Sequence, residues 1–223
     1  MPQRRLPSDR LSWISDADLE SAISSLFSSA KNTIQKAEKR RERNVVDPFY
    51  SVLIASSFEL KTIIELDNLQ DAGAALRGIS NFLGEFHQKI LGSINGWNNH
   101  DSGYDLECPM KSIIAEVKNK HNTMNSTNTE AVISDLDTAI RQKKGNWKAY
   151  LVQVIPRSPY RSTNIVRSRG VYVIDGASFY HLATGEPNAI HDLFDVFCDM
   201  FSLTDEICQY CKLIMLGSLP PRI

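Results

Sequence analysis

Apolar positions recur at helical spacing in the first part of the chain and gather into short runs in the second. Leu19, Ile23, Leu26 and Phe27 form one face of residues 15–43, a stretch that Ser15 or Asp16 can cap. Asp47-Pro48 puts a proline in a first turn and predicts a second helix running to about Leu69. Residues 72–92 carry Leu76, Ile79, Phe82, Leu83, Phe86 and Ile90, although Gly73, Gly78 and Gly84 speak against one straight helix. The pattern changes after a polar loop, SINGWNNHDSG at 93–103. Residues 104–108 and 111–119 read as an antiparallel strand pair with Pro109 in the turn. Residues 129–144 return to helical spacing, capped by Asn128 or Thr129, with Val132, Ile133, Leu136 and Ile140 inward and Gly145 as the stop.

WKAYLVQVI at 147–155 predicts a buried strand stopped by Pro156, and residues 171–174 and 178–182 predict two more around an Asp175-Gly176 turn. Pro187 opens a helix to about Phe201, and a last helix spans 204–216. This order implies an α/β fold, a mixed sheet flanked by helices, with a helical N-terminal region. The expected organisation is a single domain over 1–223. Residues 1–97 are mainly helical, 98–201 form the α/β core, and 202–223 form a C-terminal helix and tail.

The 223 residues suffice for one substantial core. No apolar run is long enough to cross a membrane, and no apolar segment follows the basic MPQRRLPSDR, so a cytoplasmic location is expected. A net charge of -1 speaks weakly against a nucleic-acid partner, but the distribution of charge matters more. Between Asp137 and Asp175 there is no acid, while Arg141, Lys143, Lys144, Lys148, Arg157, Arg161, Arg167 and Arg169 all fall there. KAEKRRER at 36–43 is a second basic cluster, equally well explained as a solvated helix face. Of the four cysteines, Cys108, Cys198, Cys208 and Cys211, the last two form a Cys-x-x-C. No second close pair accompanies it, and its flanks read as a core helix, so buried free thiols are expected rather than a zinc site.

The candidate chemistry lies in DSGYDLECPMKSIIAEVKNKH, residues 101–121. Glu116, Lys118 and Lys120 share one face of a strand whose Val117 points into the core. Charges on a strand otherwise made of Ser, Ile and Ala need partners, and a metal and a phosphate have the right signs. Asp105 comes from the neighbouring strand, and the Val117 carbonyl can complete a metal shell whose oxygen donors suit Mg²⁺. These residues point to phosphodiester hydrolysis: Asp105 and Glu116 hold the metal, and Lys118 orients water and offsets developing charge. Edge strands commonly carry Glu and Lys, so Glu-x-Lys alone says little. An Asp across a hairpin, then a helix and a buried strand, make it more specific. Glu107 shares the face of Asp105 and can assist or replace it. A further acid is expected from the second helix, Glu59 on the stripe of Ala55, Ile63 and Leu66, with Glu65 as competitor and a salt bridge as the plain alternative for either. Lys120, His121, Asn122 and Asn125 follow the strand, and Arg157, Arg161, Arg167 and Arg169 lie in what reads as a loop. All eight are candidates for contacts to DNA phosphates or bases, with a plain polar loop as the alternative.

HQKILGSINGW at 87–97, GYDLEC at 103–108, AEVKNKHNTMNS at 115–126 and FYHLATGEPNAIHDLF at 179–194 together resemble type II restriction endonucleases of the PD-(D/E)XK superfamily, and most of all the group recognising GGNCC. The likeness covers most of residues 47–201, with Tyr104 standing where the superfamily's name places proline. It implies a restriction-endonuclease-like fold and puts the metal-binding acids on Asp105 and Glu116 and the lysine on Lys118. It further implies Mg²⁺-dependent cleavage of both strands of a short palindrome, between the two guanines, by a homodimer. A cognate cytosine methyltransferase, encoded nearby but not bound, is expected to protect the host's own sites. The competing functions are a structure-specific repair or junction nuclease of the same fold, a non-catalytic DNA-binding protein and, more distantly, a zinc adaptor.

Overall fold

The computed structural model describes residues 11–35, 47–158, 160–167, 170–201 and 205–215. They form two compact units, Ser24–Leu83 on one hand and Met1–Ile23 with Gly84–Ile223 on the other. Helices α1 (Asp16–Gln35) and α3 (Ile63–Gly92) each contribute to both units.

The Ser24–Leu83 unit is helical. α1 begins at Ser15, whose Oγ accepts from the Asp18 amide at 3.1 Å. Helix α2 (Pro48–Ser57) has Asp47 as its cap, accepting from the amides of Phe49 and Tyr50, with Pro48 in the first turn as expected. The second helix does not reach Leu69. It stops at Ser57, and Glu59 takes a left-handed backbone, φ 53°, so the chain turns before α3 begins. α3 runs unbroken through its glycines. At Gly78 the reason is close approach, since a Cβ there would lie 2.8 Å from Cγ2 of Thr33 on α1.

The other unit holds a six-stranded sheet in the order β1-β2-β3-β4-β6-β5. Its strands are β1 (Asn98–Asn99), β2 (Leu106–Cys108), β3 (Ile113–Lys120), β4 (Lys148–Ile155), β5 (Thr163–Arg167) and β6 (Val171–Asp175). β3 lies antiparallel to β2, Leu106 opposite Ala115, and parallel to β4, Glu116 opposite Leu151. β4 and β6 are also parallel, and β5 closes the edge antiparallel to β6. The mixed sheet expected from the strand pattern is therefore present.

Helix α4 (Ser126–Gln142) connects β3 to β4 and buries Ile133, Leu136 and Ile140 against Ile114, Leu151 and Val171. Its cap is Asn125, accepting from the Asn128 amide at 2.8 Å, not Asn128 or Thr129. Helices α5 (Gly176–Thr184), α6 (Ala189–Phe201) and α7 (Asp205–Met215) follow β6. Rings of Trp97, Tyr150 and Phe179 pack together near α5.

Two expectations are corrected here. Residues 178–182 are helical, because Asp175 is a helix cap, accepting from Ser178 at 2.8 Å, and does not begin a hairpin turn. The helix passes so near β4 that a Cβ on Gly176 would sit 2.3 Å from the Val154 carbonyl oxygen. The stretch read as a basic loop holds strand β5, whose exposed edge position hides any alternating pattern. Among the described residues no helix is long and apolar enough to cross a membrane.

Candidate active site

β3 sets the site. Along it Ile113, Ile114, Ala115 and Val117 are buried, Glu116 and Lys118 half-buried, and Lys120 exposed. The period of two thus brings Glu116, Lys118 and Lys120 out along one face. Asp105 immediately precedes β2 and is clamped to β3 twice. Its amide donates to the Ala115 carbonyl at 3.0 Å, and its Oδ2 accepts from the Val117 amide at 2.7 Å. The Asp105 and Glu116 carboxylates therefore face one cavity of about 310 Å³, lined also by His100, Asp101, Ser102, Gly103, Tyr104, Val132, Asp135 and Leu136. Lys118 Nζ donates to Glu116 Oε1 at 2.6 Å.

The electrostatics follow from this crowding. Burial pushes the Asp105 carboxyl above its ordinary range, against the pull of the Val117 N–H and the Lys118 charge. Glu116 is pushed the same way, by burial first and then by the charges of Asp105 and Asp135, with Lys118 opposing. A cation between the two acids would relieve both effects. Asp105, Glu116 and the Val117 carbonyl offer only oxygen, which suits a hard divalent ion that keeps several waters. Among the described residues no three His, Cys, Asp or Glu side chains converge as a ready ligand set. Asp101 and Asp135 line the same cavity as Asp105 and Glu116.

Asp135 is the residue the sequence reading missed. It sits on α4, one turn after Val132 and next to Leu136, and lines the same cavity. The signal was its place at i+3 from Val132, on a helix directly following the carboxylate strand. Glu107 does not join the acids. Its carboxylate accepts from Tyr104 Oη at 2.5 Å and from Lys143 Nζ at 3.0 Å. Burial raises its pKa, but these two hydrogen bonds prevail and hold it below the ordinary value. The triad fastens β2 to the end of α4.

Glu59 loses the helical stripe that singled it out. It is exposed in the turn between α2 and α3. Glu65 has a structural role, since its Oε2 accepts from the amides of Lys61 and Thr62 at 2.7 and 3.0 Å and Thr62 Oγ1 accepts from the Glu65 amide. This reciprocal capping box begins α3 and holds the carboxyl below its ordinary range through those amide bonds.

The candidate DNA contacts divide. Lys120, His121 and Asn122 are exposed at the end of β3 and in the 3₁₀ turn after it, with His121 Nδ1 3.1 Å from Gln153 Oε1. Asn125 commits its Oδ1 to the α4 cap. Arg157 is exposed just beyond β4. Arg161 donates to the Pro187 carbonyl, and Arg167 forms an ion pair with Glu130. Arg169 and the basic cluster at 36–43 lie outside the described residues.

The thiols are free. Cys108 is buried, and Cys198, Cys208 and Cys211 are half-buried. Burial, helped by a hydrogen bond with Cys208, pushes Cys198 up to about 12, which keeps it a thiol and not a metal-ready thiolate.

The family model described as Eco47II restriction endonuclease matches residues 11–204. The type II restriction enzyme Eco47II of Escherichia coli is 36% identical over 200 residues, covering 82% of this chain and 83% of that protein. The type II restriction enzyme Sau96I of Staphylococcus aureus is 29% identical over 208 residues, covering 82% of this chain and 76% of that protein. No solved structure matches the chain significantly. With the family model spanning most of the sequence, the chain belongs to the Eco47II restriction endonuclease family.

Proposed function

We propose that the protein is a type II site-specific endodeoxyribonuclease. It acts as a homodimer with Mg²⁺ and hydrolyses one phosphodiester bond in each strand of a short palindromic duplex site, GGNCC. The observation that carries this reading is the meeting of Asp105 and Glu116 at one cavity, with Lys118 bonded to Glu116. The two named relatives, both type II restriction enzymes, support it.

In this reading Asp105 and Glu116, with the Val117 carbonyl, hold the ion. When bound, Mg²⁺ supplies charge to the scissile phosphate and acidifies water. The chain's own work is positional. The Val117 N–H fixes the rotamer of Asp105, so one carboxylate oxygen is presented in a constant direction. Lys118 holds Glu116 in place and keeps a positive charge beside the reacting phosphate, where negative charge grows. Lys120, His121, Asn122, the amide nitrogen of Asn125, and Arg157, Arg161, Arg167 and Arg169 supply the contacts that hold and read the duplex. Glu59 is the further acid of the proposed catalytic set. A cytosine methyltransferase encoded nearby protects host sites without binding this chain.

The test is digestion of unmethylated plasmid DNA with Mg²⁺ and sequencing of the fragment ends, beside EDTA and Lys118→Ala controls. Discrete fragments sharing GGNCC at their ends, lost in both controls, are the expected result. Discrete fragments with another shared sequence would overturn the site assignment alone. Random nicking, or no cleavage with DNA binding intact, would overturn the enzymatic reading.

A further inference from the structure

Helix α2 exposes an apolar face, although its composition would suit a core. No residue of α2 is buried. Ser51, Ile54 and Ala55 are half-buried, and Ser51 Oγ accepts from Gln70 Nε2 of α3 at 3.2 Å. The remaining side is apolar and open, with Phe49 86%, Val52 71% and Leu53 64% exposed, spaced to share one helical face. Phe58 at 59%, Ile63 at 77% and Ile64 at 71% are exposed too, at the junction with α3.

We infer that this face of α2 and its junction with α3 is where a second copy of the chain docks. The inference rests, for the identity of the partner, on the proposal that the protein cuts both strands as a homodimer.

Three observations select that occupant. The first is area. At these exposures the six side chains offer on the order of 700 Å² of apolar surface, taking about 150–250 Å² for a large side chain fully exposed. That exceeds the usual largest patch of a monomer, about 300–600 Å². It approaches the roughly 800 Å² per partner of a standard interface. The second is charge. Residues 48–58, PFYSVLIASSF, contain no Asp, Glu, Lys, Arg or His, and the junction beyond them carries exposed charges of both signs, Glu59, Lys61 and Glu65. DNA phosphates need Lys or Arg, and a helix lying on a membrane carries basic residues on its polar side, so neither fits α2 itself. The third is symmetry. The α2 part of the face has no charged side chain, so it can meet a copy of itself across a two-fold axis with no like charges opposed there, as an isologous contact requires.

The test is sedimentation velocity over a concentration series in EDTA and without DNA, on the full chain and on Phe49→Glu and Leu53→Glu. Both positions are exposed, so the fold should survive, and circular dichroism with a thermal melt verifies that. The expected result is a wild-type dimer, with each variant raising the dimer Kd by about 100-fold, the scale of an interface hot spot. A wild-type protein that stays monomeric at all concentrations would overturn the proposal and assign the face to another partner or another part of the chain. A dimer that neither charged variant weakens would overturn it too, by placing the interface elsewhere. The readout needs no cleavage. A dimer split by Phe49→Glu stands even if the nuclease reading fails, and a monomer that cuts DNA refutes the docking face while leaving the nuclease intact.

Discussion

Asn125 carries two roles on two atoms of one amide, and substitution can separate them. Its Oδ1 accepts from the Asn128 amide at 2.8 Å and caps α4. Its Nδ2 remains for DNA in the proposed function. Asn125→Ala removes both atoms. Losing a side-chain cap costs about 1 kcal/mol, within a range of roughly 0.5–2. In a domain of this size each kcal/mol moves Tm by about 2–4 °C, so Asn125→Ala should melt about 2–4 °C below wild type. Asn125→Ser restores a capping oxygen without the amide nitrogen and should melt with wild type. DNA affinity, read by fluorescence anisotropy with Ca²⁺ replacing Mg²⁺, should fall about tenfold in both variants, equivalent to one lost hydrogen bond to a base edge. An Asn125→Ala protein that melts with wild type would refute the cap. An Asn125→Ser protein that binds DNA like wild type would refute the contact.

Three further outcomes follow from the geometry. Asp105→Asn and Glu116→Gln should each lower cleavage by at least about 10²–10³-fold. In EDTA they should nevertheless raise Tm, because burial makes each ionised carboxylate costly and the Asp105 charge adds to the cost at Glu116. The folded carboxyls bind protons more tightly than the unfolded ones, so this cost grows as pH rises through the window above the ordinary carboxylate value; variants that melt below wild type in EDTA at neutral pH would contradict this. His87 has the opposite sign. Burial lowers it to about 4 beside Tyr180, 2.8 Å away, so the unfolded chain takes the proton first. Stability should fall as pH drops from about 6.5 toward 4, with a slope of up to about 1.4 kcal/mol per pH unit. His87→Gln should flatten that slope, and urea titrations across the window check it. Gly176→Ala should cost about 1–3 kcal/mol or more in chemical denaturation, because the added carbon meets the Val154 backbone and not a side chain that can turn away.

Much of the α/β unit was legible because its central strands are continuous apolar runs. Ile113 to Ala115, Val117, Ala149 to Val152 and Val154 are buried, and runs this short and apolar, bounded by turn residues, suit a central strand. Asp105, Glu116 and Lys118 stood out because charge interrupts such a strand. What failed had physical causes too. GASFYHLAT is as apolar as a strand, and only the Asp175 cap, a matter of backbone geometry, commits it to a helix. β5 is exposed along most of its length, so no hydrophobic pattern marked it. The break after Ser57 needs a left-handed Glu59, an unusual conformation for a side chain of that size that composition does not announce. Asp135 could be connected to the acids only once the packing face of α4 was known.

Every residue lining the cavity falls within 100–136, a single uninterrupted stretch of chain. The exposed Arg157 and edge strand β5 lie beyond it. Under the proposed reading, cutting is written in one paragraph of the sequence, and a share of the reading of DNA in another. Changes to the second can redirect the enzyme to a different target while the first is copied unaltered. Under that reading, replacing the segment after Val154 should move only the share of the specificity that Arg157 and β5 carry, and leave the chemistry and the contacts from Lys120 to Asn125 in place.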